Sequence, residues 1–300
     1  MFAQALAIAI VATVCVVAPQ LSLADSLFPI STRANPTEAP TRARNRALSK
    51  RIYSLAIAQS RGGDLRRAFT LLTKSIRIDP GNALACAARA LIRAARGDIL
   101  GAVGDSDYAI AIDPTLAVAY YNRGLINARV HLWASATEDF KTAALLDPGI
   151  GGGVVFDNLG RTLMAQGLFA DAIISFTRAL SHNPSHAMTY FHRSRAYEKT
   201  GQLDAAISDM NASVQAGGAF AEAHHRRAHL FLKRGQDGQA LIDLNRALEL
   251  APEDDHARAD RALLYEQAGD ATAARQELSR LRPDYKPGGR DHNAHFGLVE

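Results

Sequence analysis

A fixed spacing of alanines is the feature that most constrains the fold of this chain. Seven alanines recur at steps of 34, 34, 36, 34, 34 and 34 residues: Ala68, Ala102, Ala136, Ala172, Ala206, Ala240 and Ala274. Self-similarity at a period of this length means that one supersecondary unit is stacked on copies of itself. The sequence therefore predicts a repeat architecture in which neighbouring units share a continuous core.

Two further columns with the same period predict where the helices end. Five residues before each alanine stand Gly63, Gly97, His131, Gly167, Gly201, Gly235 and Gly269. Twelve residues after five of the alanines stand Pro80, Pro114, Pro148, Pro184 and Pro252. Proline ends a helix because it has no N–H to donate. Glycine supplies the left-handed backbone of a tight helix–helix turn, a conformation that histidine tolerates better than most residues.

A column of small residues indicates that the helices pack in close pairs. Twelve residues before each alanine lie Ala56, Ala90, Gly124, Gly160, Ser194, Ala228 and Ala262. Small residues on facing positions let two helices approach closely. The glycine-rich segment 149–153 is the two-residue insertion that lengthens one step to 36. Together the columns predict an all-α solenoid of helix pairs.

These columns resemble the tetratricopeptide repeat, in which an aromatic residue, Leu-Gly, Tyr, Ala, Phe and Pro follow one another. The fourth copy carries Phe156, Leu159, Gly160, Leu163, Gly167, Ala172, Phe176, Ala179 and Pro184. We expect seven repeats, at 49–82, 83–116, 117–150, 153–186, 187–220, 221–254 and 255–286. The resemblance implies a right-handed superhelical solenoid of antiparallel helix pairs. It also implies a concave groove, lined by the first helix of each pair, that binds a peptide or partner protein.

The family's groove positions predict a partner-binding site on the first helices. Carried onto this chain, they give among others Tyr53, Tyr121, Arg161, Phe191, Arg195, Glu198, Lys199, His225, His229 and Lys233, and the family's asparagine column adds Asn122 and Asn158. Aromatic rings would supply apolar contact, and arginine or lysine would bind carboxylates of a peptide. The two asparagines stand where a side-chain amide bonds an extended peptide backbone. The alternative is that these faces are simply solvated and that the amides only cap neighbouring polar groups.

The basic residues are concentrated near the start of the predicted repeats. Residues 42–96 carry 13 basic and 2 acidic side chains, a net charge of +11, whereas residues 97–160 carry 3 and 8, a net charge of −5. One interpretation is an attachment point for an acidic partner or anionic lipid, with possible membrane contact through this region and the N-terminal segment. The other is a set of solvated helix faces. No nucleic-acid partner is expected, because the arginines lack interleaved aromatic residues and any recognised module.

The N-terminal segment predicts export. Residues 1–24 contain no charged side chain, and an apolar run from Ala5 to Ala18 precedes Ser22-Leu23-Ala24. The small residues Ser22 and Ala24 favour a signal peptide that is cleaved before Asp25. Cleavage would place the protein in the periplasm or outside the cell. The alternative is an uncleaved membrane anchor, since the run is nearly long enough to span a bilayer. We expect a flexible linker at 25–48 and a disordered tail at 287–300.

Few residues in the chain have the spacing of a catalytic or metal site. His224, His225 and His229 lie on one predicted helix, but without the third ligand or the glutamate of a metalloprotease motif. We therefore expect no metal, no cofactor and no enzymatic activity. Cys86 is expected to be a small buried residue. The sequence predicts a non-enzymatic adaptor or scaffold that binds a protein or peptide. The alternative is a membrane-anchored structural or assembly protein.

Overall fold

The computed structural model describes residues 38–217, 221–283 and 285, and within these residues it contains 14 α-helices and no strand. The helices form seven consecutive pairs. The first helices of the pairs are α1 Glu38–Arg61, α3 Ala83–Ala95, α5 Ala117–Arg129, α7 Val154–Ala165, α9 Ala187–Lys199, α11 Ala221–Lys233 and α13 Asp255–Gln267. The second helices are α2 Leu65–Ile78, α4 Ile99–Ile112, α6 Trp133–Leu146, α8 Phe169–His182, α10 Leu203–Gly217, α12 Asp237–Leu250 and α14 Ala271–Leu278. The predicted all-α architecture of helix pairs is confirmed.

The chain divides into two compact units. Unit 1 extends to Thr162 and contains α1 to α6 with most of α7. Unit 2 begins at Leu163 and contains the end of α7 and all of α8 to α14. The predicted signal or anchor segment 1–24 and the predicted tail 287–300 lie outside the described residues.

The turns inside the pairs have the left-handed backbone that the glycine column predicts. Gly63, Gly97, Gly167, Gly201, Gly235 and Gly269 all have positive φ, between 73° and 86°. His131, which replaces glycine once, has φ 61° and is the one described non-glycine residue with positive φ. After three of these glycines an aspartate begins the next helix. The carboxylates of Asp64, Asp98 and Asp270 accept hydrogen bonds from the backbone N–H three residues later, which caps the helix.

The two small-residue columns lie in the core of each unit. Six of the seven period alanines are 0% exposed, and Ala274 in the last pair is 5% exposed. In unit 1, a Cβ added to Gly124 would lie 2.8 Å from Cε1 of Phe140, so only glycine allows this helix contact. In unit 2, the Ser194 hydroxyl donates to the carbonyl oxygen of Ala206 at 2.7 Å. Close packing of the paired helices, as predicted, is confirmed at these positions.

The structure differs from the sequence-based prediction at both ends of the described chain. Helix α1 begins at Glu38, inside the segment predicted as a flexible linker, so the linker prediction is wrong for residues 38–48. Pro40 lies in the first helical turn, where a missing N–H costs no hydrogen bond, and the following residues are mostly good helix formers. At the other end, Leu278 is 50% exposed, whereas Leu244 at the same repeat position is 0% exposed. The described chain places no further helix pair against Leu278.

A column of arginines, which the sequence analysis did not identify, links neighbouring helices. Each arginine pairs with a carboxylate 16 residues later on the second helix of its own pair: Arg89 with Asp105, Arg123 with Asp139, Arg193 with Asp209, Arg227 with Asp243 and Arg261 with Glu277. Four of them also donate to a side chain 16 residues earlier, on the second helix of the preceding pair: Asp107, Thr177, Asn211 and Asn245. The first and fourth pairs have Leu55 and Leu159 at this repeat position.

Candidate partner-binding site

The first helices of unit 2 bring three of the predicted site residues together. Lys233 Nζ on α11 lies 2.5 Å from Glu198 Oε1 on α9, and His229 Nδ1 lies 3.5 Å from the same oxygen. Burial raises the pKa of Glu198, but hydrogen bonds from His229 and Lys233 outweigh burial and hold the pKa at about 2. Glu198 is therefore a fixed anion between two side chains that are about one repeat further along the chain.

His225, the next predicted residue on α11, lies between two carboxylates. Its Nδ1 is 3.3 Å from Asp254 Oδ2, and its Nε2 is 3.0 Å from Asp260 Oδ2 on α13. Burial lowers the pKa of His225, but these two carboxylates outweigh burial and raise the pKa to about 9. The imidazole is therefore protonated at neutral pH and joins α11 to α13. Asp254 also caps α13, because its carboxylate accepts from the backbone N–H groups of His256 and Ala257.

A second charged group surrounds Arg195 on α9. Arg195 is 8% exposed, and burial together with the nearby Arg226 guanidinium lowers its pKa. Glu222 faces the two arginines, with its Oε1 3.8 Å from Arg226 Nε, and burial raises its pKa. Two guanidiniums and one carboxylate therefore share a site with little access to water.

These side chains form one surface along α9, α11 and α13. The unit 2 first-helix surface is defined here by Arg195, Glu198, Lys199, Glu222, His225, Arg226, His229, Lys233, Asp254 and Asp260. Lys199 is exposed, and it forms no ion pair in the part of the chain that the structure describes. Phe191 belongs to the hydrophobic core of unit 2 and is 2% exposed, with the Arg195 guanidinium 6.0 Å from its ring centroid. The surface is thus a set of charged and polar side chains, most of them paired, next to the apolar core of unit 2.

Three of the predicted residues meet in unit 1, whereas Asn122 and Tyr53 make separate contacts. The Asn158 side-chain amide donates to the Tyr121 hydroxyl at 3.0 Å, and Arg161 Nη1 donates to Asn158 Oδ1 at 3.4 Å. Asn122 is 1% exposed and donates to the backbone carbonyl of Ala87 on α3 at 2.9 Å. Its amide therefore joins two first helices of unit 1. Tyr53 lies on α1, partly buried against the core cluster of the first pairs.

Sequence reasoning missed four members of the unit 2 first-helix surface. Glu222 stands at the second position of its helix, one of the family's groove positions, and Arg226 is one helical turn further along. Asp254 precedes α13 and Asp260 lies on its sixth position, so neither is at a position that the family pattern selects. The signal that identifies them is charge complementarity with His225, which requires knowledge of the helix packing.

The surface carries charges but no arrangement typical of metal-dependent or thiol chemistry. No cluster of three histidine, cysteine or acidic side chains suited to a metal ion is found in the described ranges 38–217, 221–283 and 285. Cys86 is 0% exposed, and burial raises the pKa of its thiol to about 11, which confirms the predicted small buried residue. None of the helices in the described part of the chain is both long and apolar enough to cross a membrane.

Comparisons with known proteins identify the repeats. The sequence model of the tetratricopeptide repeat matches residues 158–221 and 225–288. A search of curated proteins found no match. Among solved structures, the chain is similar to the C-terminal part of a tetratricopeptide-repeat protein from Cytophaga hutchinsonii, with TM-score 0.63 and 15% identity over 80% of this chain and 96% of that one.

Two other similar structures have comparable coverage. Pseudomonas aeruginosa pilF gives a TM-score of 0.62 at 21% identity over 76% of this chain and 98% of that one. YrrB, described as a tetratricopeptide-repeat protein with an unusual peptide-binding site, gives a TM-score of 0.55 at 22% identity over 66% and 97%. At these identities the likeness establishes the fold. Proteins with this fold act as protein-interaction scaffolds and are typically non-catalytic. The family model therefore shows tetratricopeptide repeats at residues 158–221 and 225–288, and the seven helix pairs share the fold of the similar tetratricopeptide-repeat structures.

Proposed function

We propose that this protein is a non-enzymatic adaptor that binds a peptide, or an extended segment of a partner protein, on the unit 2 first-helix surface. The observation that carries the proposal is the convergence of α9, α11 and α13. Residues about one repeat apart, Glu198 on α9 with His229 and Lys233 on α11, meet in one charged cluster. Such a cluster presents both signs of charge in a fixed geometry, which favours selective binding of a polar peptide.

The side chains available to a partner are the more exposed members of this surface. Lys199 and Lys233 are exposed, and His229 is partly exposed, whereas Phe191 and Arg195 are largely buried and support them from below. An ion pair with Glu198 already holds Lys233, and a hydrogen bond to Glu198 holds His229, so less side-chain entropy is lost when a ligand binds. The peptide-binding site described for YrrB, which has the same fold, supports this kind of ligand.

A peptide-display selection against the full chain tests the proposal. We expect selected peptides to bind with measurable affinity, and the variant Lys199→Ala/His229→Ala/Lys233→Ala to bind them at least about tenfold more weakly. The matched control, Arg178→Ala/Arg246→Ala/Arg275→Ala, changes exposed arginines on the second helices of unit 2 and should bind like the unchanged protein. Equal losses in both variants, or no loss in the first, would reject this surface as the binding site.

We also propose that the adaptor works in the periplasm or outside the cell, after cleavage between Ala24 and Asp25. The uncharged apolar segment and the small residues at 22 and 24 support export. The alternative function is a membrane-anchored structural or assembly protein, which the length of the apolar run favours. N-terminal sequencing of the protein from fractionated cells decides between them. Asp25 in the soluble envelope fraction supports export, and Met1 or Phe2 in the membrane pellet supports the anchor.

A further inference from the structure

The outer surface of the first helix pair carries cations without counterions. Eight exposed basic side chains of α1 and α2 form no ion pair with any residue in the described ranges: Arg44, Arg46, Lys50, Arg51, Arg66, Arg67, Lys74 and Arg77. We call these eight residues the α1–α2 cationic surface. Further along unit 1, by contrast, Arg89, Arg93 and Arg123 all form ion pairs with aspartates.

The acidic residues near this surface are already used by the backbone. The Asp64 carboxylate accepts from the Arg67 backbone N–H at 2.8 Å and caps α2. The Asp79 carboxylate accepts from the Gly81 backbone N–H at 3.2 Å in the turn that follows α2. Neither carboxylate forms an ion pair with the α1–α2 cationic surface. The surplus positive charge is therefore a property of the folded surface and not only of the composition.

Helix geometry places the α2 cations on one stripe. Successive residues of an α-helix are about 100° apart, so Arg66, Arg67, Lys74 and Arg77 fall within an arc of about 100°. The buried residues of the same helix, Ala68, Leu72 and Ser75, lie on the opposite side. On the outer face of helix α2 all the charged side chains are therefore cationic, while the other face packs into unit 1.

The N-terminal part of α1 extends the positive charge. Residues 39–48 are exposed at every position, so this part of the helix is not covered by other described residues. The first contact that buries a polar side chain of α1 is at Ser49, whose hydroxyl hydrogen-bonds to Ser75 on α2. Arg44 and Arg46 lie on the exposed part. A cationic helix arm next to a cationic helix face suits an extended anionic surface better than a small anion.

We propose that the α1–α2 cationic surface binds the anionic headgroups of a phospholipid membrane. Basic side chains attract a negatively charged membrane surface additively, and a second attachment makes such binding stable. In the alternative in which residues 1–24 are not cleaved, the apolar run from Ala5 to Ala18 adds a second attachment. Single-stranded nucleic acid is the less suitable partner, because its binding sites combine cations with exposed aromatic stacking platforms. The aromatic side chains of α1 and α2, Tyr53 and Phe69, are both partly buried.

Vesicle co-sedimentation of the full chain tests this inference. We expect binding to phosphatidylcholine vesicles that contain about one third phosphatidylglycerol, weaker binding at high salt, and much weaker binding to pure phosphatidylcholine. The variant Arg66→Gln/Arg67→Gln/Lys74→Gln/Arg77→Gln should bind anionic vesicles about tenfold more weakly or worse. Both proteins keep residues 1–37, so any contribution of the apolar run is the same in both.

A matched control distinguishes the effect of this surface on vesicle binding from the effect of net charge. The variant Arg129→Gln/Arg178→Gln/Arg234→Gln/Arg275→Gln also removes four exposed positive charges, none of them on α1 or α2, and it should bind anionic vesicles like the unchanged protein. Circular dichroism verifies that both variants are folded. Equal loss in the two variants, equal binding to neutral vesicles, or tighter binding to a single-stranded RNA oligonucleotide than to anionic vesicles would each overturn the proposal. The peptide-site variant of unit 2 should retain full vesicle binding, so this inference and the proposed function fail independently.

Discussion

Removing one partner of the arginine column should destabilise the repeat that contains it. Arg193 makes two bonds to Asp209, Nε to Oδ2 at 2.7 Å and Nη2 to Oδ1 at 2.8 Å, and Nη1 donates to Thr177 at 2.9 Å. The two charged side chains are 15% and 8% exposed. The change Arg193→Met keeps most of the apolar stem but leaves a nearly buried Asp209 carboxylate without its counterion.

The expected cost of Arg193→Met is about 3 kcal/mol. Removing one partner of a buried ion pair costs about 3–5 kcal/mol because an unpaired charge remains, and the partial exposure of Arg193 places this pair at the lower end. The double variant Arg193→Met/Asp209→Leu should recover most of the loss, since a buried pair replaced by apolar residues is often close to neutral. The matched control is Arg246→Met, which breaks an exposed pair with Glu249 whose side chains are 51% and 63% exposed. It should cost less than about 1 kcal/mol.

Urea unfolding followed by far-UV circular dichroism measures these free energies. The curves need a nearest-neighbour repeat model, because repeat arrays do not always unfold in one step. An Arg193→Met cost no larger than that of Arg246→Met would refute the interpretation of the column as a stabilising link. The interpretation would also be refuted if Arg193→Met/Asp209→Leu lowered the free energy of unfolding by as much as the sum of its two single changes.

Three other changes have definite expected results. Gly124→Ala should destabilise the protein by about 1–3 kcal/mol in urea unfolding, because its Cβ would lie 2.8 Å from Phe140 Cε1. Gly104→Ala, on the exposed side of α4, should stabilise the protein by about 0.5–1 kcal/mol. Reversed signs would refute the packing described for Gly124. The pKa of His225 rises from 6.5 to about 9, so its contribution to the stability of unit 2, at most about 3 kcal/mol, is fully present below pH 6.5. This contribution should disappear as the pH rises through 9. A His225→Gln variant whose stability has the same pH dependence as that of the unchanged protein would contradict this. The Cys86 thiol should react with a thiol reagent only after unfolding, so rapid labelling of the native protein would contradict its burial and raised pKa.

The helix pairs were predictable because their boundaries depend on local backbone chemistry. Positive φ at Gly97 and Gly201, and at His131 in the same column, follows from the turn geometry that the period imposes. The closing prolines follow α2 and α4 by two residues, as at Pro80 and Pro114. The start of α1 was not predictable from these columns, since it lies before the first repeat.

The sequence predicts which helices carry the candidate site, but it does not predict which of the site's side chains are exposed. The repeat period places Glu198 and Lys233 on adjacent first helices, and the structure joins them. Whether a groove position is open depends on packing that no single repeat specifies. Phe191 and Asn122 are buried in the core or bonded to a neighbouring helix. That a partner contacts the predicted residues stays a prediction.

The arginine column recurs in the sequence with the same period as the alanines, but each arginine and its carboxylate partner are too far apart to lie on one helix. Arginine and carboxylate are 16 residues apart, which is not a spacing within one helix but the separation of facing positions on two paired helices. Periodicity analysis along a single helix therefore does not detect it. Leu55 and Leu159 replace arginine in the first and fourth pairs.

Hydrogen–deuterium exchange with a bound ligand tests the central claim of a peptide site on the first helices most directly. The full chain is compared with and without the tightest peptide from the display selection. We predict slower exchange in α9, α11 and α13, centred on the segments that contain Lys199, His229 and Lys233, with exchange in α10 and α12 unchanged. Protection confined to the second helices, or to α1 and α2, would contradict the account.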